Sequence, residues 1–232
     1  MEKKSYKYIS EVFKHDSLKN KRCFLLGGGP SLKHFDYSIL KNEFTIGINK
    51  TFTVFSPTIN YSSDLKFYNF VAKFGDQVGQ TTIHNKWLDY TGYKTILCPN
   101  RSENRSENIN EDTYVVKQLS SKLLSLDVEQ GIYPARNSGF AGLMLAISLG
   151  CKEIYLLGYD LNCEQTKTHW HEGYPNFKAV ENYSKILKKF IKSFEDFKDI
   201  IEENGIKVVN LNLSSALTCF EKRNLNTVLT GI

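Results

Sequence analysis

Short apolar runs, each closed by glycine or a polar residue, recur along the chain, and between them lie stretches where apolar residues return every three or four positions. Phe24-Leu25-Leu26 ends at Gly27, Phe44 to Ile48 ends at Asn49, Ile59 to Ser62 ends near Asp64, and the run from Glu153 ends in Gly158, Tyr159 and Asp160. Thr95 to Cys98 stops at Pro99, and Lys207 to Leu211 is the last such run. Runs this short predict buried strands. Tyr8, Ile9, Val12 and Phe13 predict a short amphipathic helix over Tyr6 to Phe13, packed on the domain in preference to a membrane surface. A helix is also expected from Ser31 to Leu40. Asn137-Ser138-Gly139 precedes a small-and-apolar helix from Phe140 to Leu149, which Gly150 closes. Phe177, Val180, Tyr183, Leu187, Phe190, Ile191, Phe194, Phe197, Ile200 and Ile201 form the core-facing stripe of a long helix ended by Gly205. A short helix is expected near the C-terminus.

Strands and helices alternate, so the fold class read from the pattern is α/β with a mainly parallel sheet flanked by helices. The stretch from about 67 to 131 reads as irregular. Within it, Asn100 to Asn110 repeats Arg-Ser-Glu-Asn and is expected to form a surface loop or lid. The chain has 232 residues, 41% of them hydrophobic, which fits one compact domain over 1–232. A net charge of +5 permits nucleic acid without indicating it, because Lys3, Lys4, Lys185, Lys188, Lys189 and Lys192 read as solvated faces. Five cysteines, without close metal-ligand spacing, point to a reduced, cytoplasmic setting. No apolar run approaches the roughly 20 residues of a membrane span.

The chemistry concentrates at the ends of the runs. Gly27-Gly28-Gly29-Pro30-Ser31 joins a predicted strand to a predicted helix. That is the geometry in which backbone N–H groups and a helix N-terminus face a phosphate, and the rival reading is a plain tight turn. Gly27 and Gly29 match the opening of a dinucleotide fingerprint, whereas Leu32 stands where its third glycine belongs. Polar tips at Gly27, Asn49 and Asp64 are what ligand binding beyond the carboxyl ends of parallel strands requires. Asn137 and Ser138 offer side-chain and backbone donors to an anion, or simply cap their helix.

Gly27-Gly28-Gly29-Pro30-Ser31-Leu32-Lys33 with Asp36-Tyr37, and Asn137-Ser138-Gly139 through Gly158-Tyr159-Asp160, resemble the bacterial lipooligosaccharide sialyltransferases of glycosyltransferase family 42. The same segments are similar to a wider Rossmann-like group with flagellin-modifying glycosyltransferases, archaeal 6-hydroxymethylpterin diphosphokinases and short phage-encoded members. The resemblance implies a single Rossmann-like domain. It also implies that Gly28, Gly29, Pro30 and Ser31 border the donor phosphates, that Asn49 contacts the nucleotide, and that Asn137, Ser138 and Gly139 meet it from the other side. In those sialyltransferases the strand ending in Gly-x-Asp is followed by tyrosines that steady the departing phosphate. Here Asn162 takes the nearest such place, which argues against a cytidine-monophosphate sialic acid donor.

The interval where the resemblance places a catalytic histidine holds His169-Trp170-His171, with Tyr174 and Pro175 beyond. Imidazole suits a base that takes the acceptor hydroxyl proton. His171 is the expected base, His169 an orienting or phosphate-holding partner, and Trp170 a stacking face. The alternatives are that the histidines ligate a divalent metal with Asp160 or Asp64, or that they are surface or structural residues. Asp64, Tyr159 and Asp160 are candidates for ribose or acceptor contacts. His34 and His84 have no such setting.

The resulting expectation is a glycosyltransferase-like enzyme that uses a nucleotide-sugar donor and no required metal. The alternatives are magnesium-dependent diphosphate transfer from ATP, with Asp64 and Asp160 holding the ion, and a catalytically silent nucleotide-binding module. Glycan, protein, small molecule and hydroxylated DNA base all remain open as acceptor, as does a homo-oligomer.

Overall fold

The computed structural model describes residues 6–14, 16–73, 81–98, 109–162, 169–171 and 180–229. Nine strands form one sheet: β1 (Lys7–Tyr8), β2 (Arg22–Leu26), β3 (Phe44–Ile48), β4 (Ile59–Ser62), β5 (Tyr93–Leu97), β6 (Thr113–Val116), β7 (Glu153–Leu157), β8 (Lys207–Asn210) and β9 (Glu221–Lys222). Their order is β1-β6-β5-β4-β3-β2-β7-β8-β9, and every neighbouring pair runs parallel. Helices α1 (Leu65–Lys73), α2 (Thr81–Asp89), α3 (Ser138–Ser148), α4 (Val180–Glu203) and α5 (Leu225–Leu229) complete the α/β, Rossmann-like architecture.

The apolar runs are strands because both faces of the sheet are covered. Along β2, Cys23 and Leu25 pack into the cluster that holds Phe140, Leu143 and Ile147 of α3 and Phe194 of α4. Phe24 and Leu26 point the other way, against Leu32, Leu40 and Val228. Tyr155 and Leu157 of β7 share that second face, while Ile154 and Leu156 share the first. A third cluster packs Phe67, Tyr68, Val71 and Trp87 of α1 and α2 over Ile96 of β5 and Val115 of β6. From Phe140 to Ser148 every residue of α3 is buried, which explains a helix without a polar stripe.

Three expectations are corrected. Tyr6 to Phe13 is not an α-helix: Lys7 and Tyr8 pair with Tyr114 and Val115 of β6, and only Ile9–Glu11 makes a 3-10 turn. An edge strand's backbone found partners in the sheet, which outweighs a short helical periodicity. Ser31 to Leu40 is likewise two 3-10 turns, Pro30–Leu32 and Tyr37–Leu40. Asp36 breaks the segment, its carboxylate accepting from the Ser38 N–H at 3.0 Å. The stretch 67–131, read as irregular, carries most of α1, all of α2, and β5 and β6. The aromatic-rich α1 has little intrinsic helix preference, and its packing against α2 and the sheet decides its state. The expected lid lies outside the described residues, apart from 109–110.

The chain runs from β2 outward through β3, β4, β5 and β6, then returns to lay β7 on the opposite edge of β2. The order therefore reverses between β2 and β7, the place where open parallel sheets leave a crevice at their carboxyl ends. Among the described residues, no helix is long and apolar enough to cross a membrane.

Candidate functional site

A cleft of about 540 Å³ opens at this carboxyl edge. It is walled by Gly27, Gly28 and Gly29 after β2, Asn49 and Lys50 after β3, Ser63 and Asp64 after β4, and Gly158 and Tyr159 after β7. Arg136, Asn137, Ser138 and Gly139 at the head of α3 face the same space, as do His169, Trp170 and His171. Segments more than a hundred residues apart thus share one wall. Pro30, Ser31 and Asp160 are not on it, and Ser31 lines a smaller cavity of about 280 Å³ instead.

Two of the three glycine N–H groups are taken up within the protein. The Gly27 N–H donates to the Leu157 carbonyl and the Gly29 N–H to the Gly158 carbonyl, each at 2.8 Å. The Ser31 N–H and hydroxyl donate to the two carboxylate oxygens of Asp160, at 3.0 and 2.8 Å. Asp160 thus supplies the anion at this turn from within the protein. The glycines serve close approach. A Cβ on Gly29 would lie 1.8 Å from Asp160 Oδ2, one on Gly27 2.6 Å from the Gly158 oxygen, and one on Gly28 2.8 Å from His169 Cδ2. Side chains here would push apart the ends of β2 and β7 and the histidine segment.

Asn49 follows β3 with a left-handed φ of +52°, opening a 3-10 turn over Asn49–Thr53. Asn60, buried in β4, braces that turn. Its Nδ2 donates to the Asn49 carbonyl at 2.9 Å, and its Oδ1 accepts from the Phe52 N–H at 3.2 Å. The Thr51 hydroxyl donates to the Ile48 carbonyl at 3.0 Å. The brace presents Lys50 to the cleft at only 8% exposure, and burial pushes its ammonium below the ordinary lysine range. The sequence reading overlooked Lys50, although its position directly after a polar strand tip was a usable signal.

At the head of α3, Asn137 Oδ1 accepts from the N–H groups of Gly139 and Phe140 at 3.0 and 3.3 Å. Its Nδ2 is buried and has no acceptor among the described residues. Ala135 and Arg136, which lead into the cap, both hold positive φ, +46° and +56°. Such backbone costs about 1–3 kcal/mol per residue and persists where the surroundings impose it. Ser138 Oγ lies 2.6 Å from Ser63 Oγ, tying the helix to the tip of β4. The Tyr159 hydroxyl donates to the Gly139 carbonyl at 3.0 Å, tying it to the tip of β7, and burial raises that phenol well above its ordinary value. Tyr159 is therefore a strut between the walls as well as a lining residue. Asp64 lines the cleft while its Oδ1 accepts from the Lys66 N–H at 2.8 Å, capping α1.

The histidine segment is pinned by the Trp170 N–H, which donates to the Gly28 carbonyl at 3.0 Å. The rings of His169 and His171 stack at 5.0 Å, and Trp170 stands edge-on to His171 at 4.9 Å. His169 Nε2 is 3.5 Å from the Tyr183 hydroxyl of α4. Burial, then the charges of His171 and Lys50, hold His169 down at about 4, so it is neutral at physiological pH. The stripe of α4 has two functions. Phe197 and Ile201 are core, whereas Tyr183, Leu187, Phe190 and Phe194 also wall the cleft. Phe177, Tyr174 and Pro175 lie outside the described residues. Among the described residues no group of three or more His, Cys, Asp or Glu side chains is placed to hold a metal ion, and the Asp160 carboxylate is already bonded to Ser31.

No family model and no curated protein matches the chain. Among solved structures it is similar to the sialyltransferase CstII from Campylobacter jejuni in complex with a substrate analogue, CMP-3FNeuAc. Identity is 21%, 89% of this chain and 87% of that chain are covered, and the TM-score is 0.49. A second CstII structure, in complex with cytidine-5'-monophosphate, matches at 22% identity over the same shares, with a TM-score of 0.47. The likeness is one of fold.

Proposed function

We propose that this protein transfers a glycosyl group from a nucleotide-activated donor to an acceptor hydroxyl. One observation carries the reading: the glycine loop, the capped head of α3 and the histidine pair line a single cleft at the carboxyl edge of the sheet. The resemblance of Gly27–Lys33 and of Asn137–Asp160 to family 42 agrees with it. In the proposed reaction the acceptor oxygen attacks the anomeric carbon while His171 takes its proton. The bond from that carbon to the phosphate oxygen breaks, and the electron pair leaves on the nucleotide. Asn137 Nδ2 donates to a donor oxygen, and Trp170 offers its indole face to the sugar. His169, neutral through burial, orients His171 or donates to the departing phosphate. No metal is required by this sequence of events.

The test begins with thermal shifts for CMP, UDP, GDP, ADP and their sugar conjugates, each with and without magnesium, since a selective ligand raises the melting temperature. Donor hydrolysis, with water as acceptor, then compares wild type with His171→Ala. Loss of turnover by roughly 10²–10⁴-fold with donor affinity held within a few-fold is expected of a removed general base. Unchanged turnover rejects the assignment, and turnover that appears only with magnesium favours diphosphate transfer.

A further inference from the structure

We propose that Lys50 is the residue through which the cleft recognises phosphate, its ammonium taking the negative charge that the glycine loop leaves unbound. The proposal rests on the nucleotide reading of the cleft and adds the residue that carries charge recognition.

Several of the backbone donors around the cleft are committed within the protein. The N–H groups of Gly27, Gly29 and Ser31 are bonded to the end of β7 and to Asp160, and those of Gly139 and Phe140 to Asn137. The Ser138 hydroxyl is engaged with Ser63. Full positive charge at the cleft comes only from side chains. The charged residues on the described wall are Lys50, Asp64 and Arg136. Arg136 is exposed at the mouth, and Asp64 has the wrong sign. Lys50 is buried and lines the same cleft as the glycine loop and His169.

The turn that carries Lys50 is braced at three points. Asn60 holds the Asn49 carbonyl and the Phe52 N–H, and Thr51 holds the Ile48 carbonyl. Preorganisation of this kind removes the ordering cost of a flexible lysine. A lysine acts as a point charge and donates to phosphate oxygens in several directions, which suits the changing geometry of a leaving group. An anion beside it also restores the ammonium that burial disfavours.

The full chain and its Lys50→Gln, Lys50→Met and Lys50→Arg variants are titrated calorimetrically with CMP, ADP, cytidine, adenosine and inorganic pyrophosphate. Lys50→Gln should weaken CMP or ADP and pyrophosphate by roughly 10- to 100-fold, the range for a lost hydrogen bond to a charged group. Nucleoside affinity should stay within about twofold, since no charge is involved, and Lys50→Arg should retain most nucleotide affinity. Lys50→Met, which keeps the aliphatic stem, repeats the measurement if Lys50→Gln does not fold. Nucleotide affinity unchanged in both neutral variants overturns the assignment of Lys50 and leaves the nucleotide reading standing. Lys50-dependent binding of pyrophosphate without binding of any nucleotide keeps the anion site and removes the nucleotide reading. Binding of neither by wild type overturns both.

Discussion

His169 shows how placement within a cleft sets a single residue's chemistry. Its ring is held at about 4 by burial first and by the charges of His171 and Lys50 after it, against an ordinary value near 6.5. Between those values the unfolded chain binds a proton that the folded chain does not, so stability rises with pH across the window and is lost as pH falls through it. His169→Gln should flatten this dependence. Urea midpoints taken from about pH 4 to about pH 7.5 should slope less in the variant than in wild type, and equal slopes would remove His169 as the cause. The same comparison separates the two histidines: His171→Ala removes the proposed base, whereas His169→Gln acts first on acid stability. The sequence placed both histidines in one segment. It could not show that one is buried, because the groups that cover it, and the Lys50 charge, come from the ends of β2 and β3 and from α4.

At the scale of elements, the cap of α3 joins stability to the proposed ligand contact in one side chain. Asn137 Oδ1 caps the helix, and Nδ2, buried without an acceptor among the described residues, is the proposed donor to the ligand. Asn137→Asp keeps the acceptor and replaces the donor with negative charge, so melting temperature should hold while nucleotide affinity falls by roughly tenfold or more. Asn137→Ala should lose about 0.5–2 kcal/mol of stability along with the ligand contact. Thermal melts and nucleotide titrations of the two variants read the halves separately. A melting loss in the aspartate variant as large as that in alanine would count against the division. The cap was legible because Asn-Ser-Gly before a small-and-apolar run is a local signal. The two 3-10 turns after the glycine loop were not, since Asp36 competes with the helix through a side-chain bond that periodicity does not register.

For the whole molecule, the central strands set the limit of stability. Cys23 of β2 and Cys151 before β7 are both fully buried, and burial pushes the Cys23 thiol well up. Cys98 and Cys219 are only partly covered, and burial also raises Cys219, to about 11. Under native conditions an aromatic disulfide reagent should label Cys98 before Cys23, Cys151 and Cys219. Cys23 and Cys151 should react only at the rate of global opening, as peptide mapping of the labelled chain would show. Fast labelling of Cys23 would mean that β2 opens locally, which the double-sided packing of the sheet argues against.

The amino-acid order alone determined strands β2, β3, β4, β5, β7 and β8, the capped α3 and the long α4, because burial on two faces, a cap and a 3.6-residue stripe are written in neighbouring residues. The tertiary structure decided where hydrogen bonds and charges end. Asp160 meets Ser31 across 129 positions of chain, and the N–H groups of Gly27 and Gly29 turn to the end of β7. Lys50 comes to face the histidines, and the N-terminal segment becomes a strand beside β6. Each of these depends on which distant groups lie within about 3 Å or share a low-dielectric wall, and local periodicity carries no record of such partners.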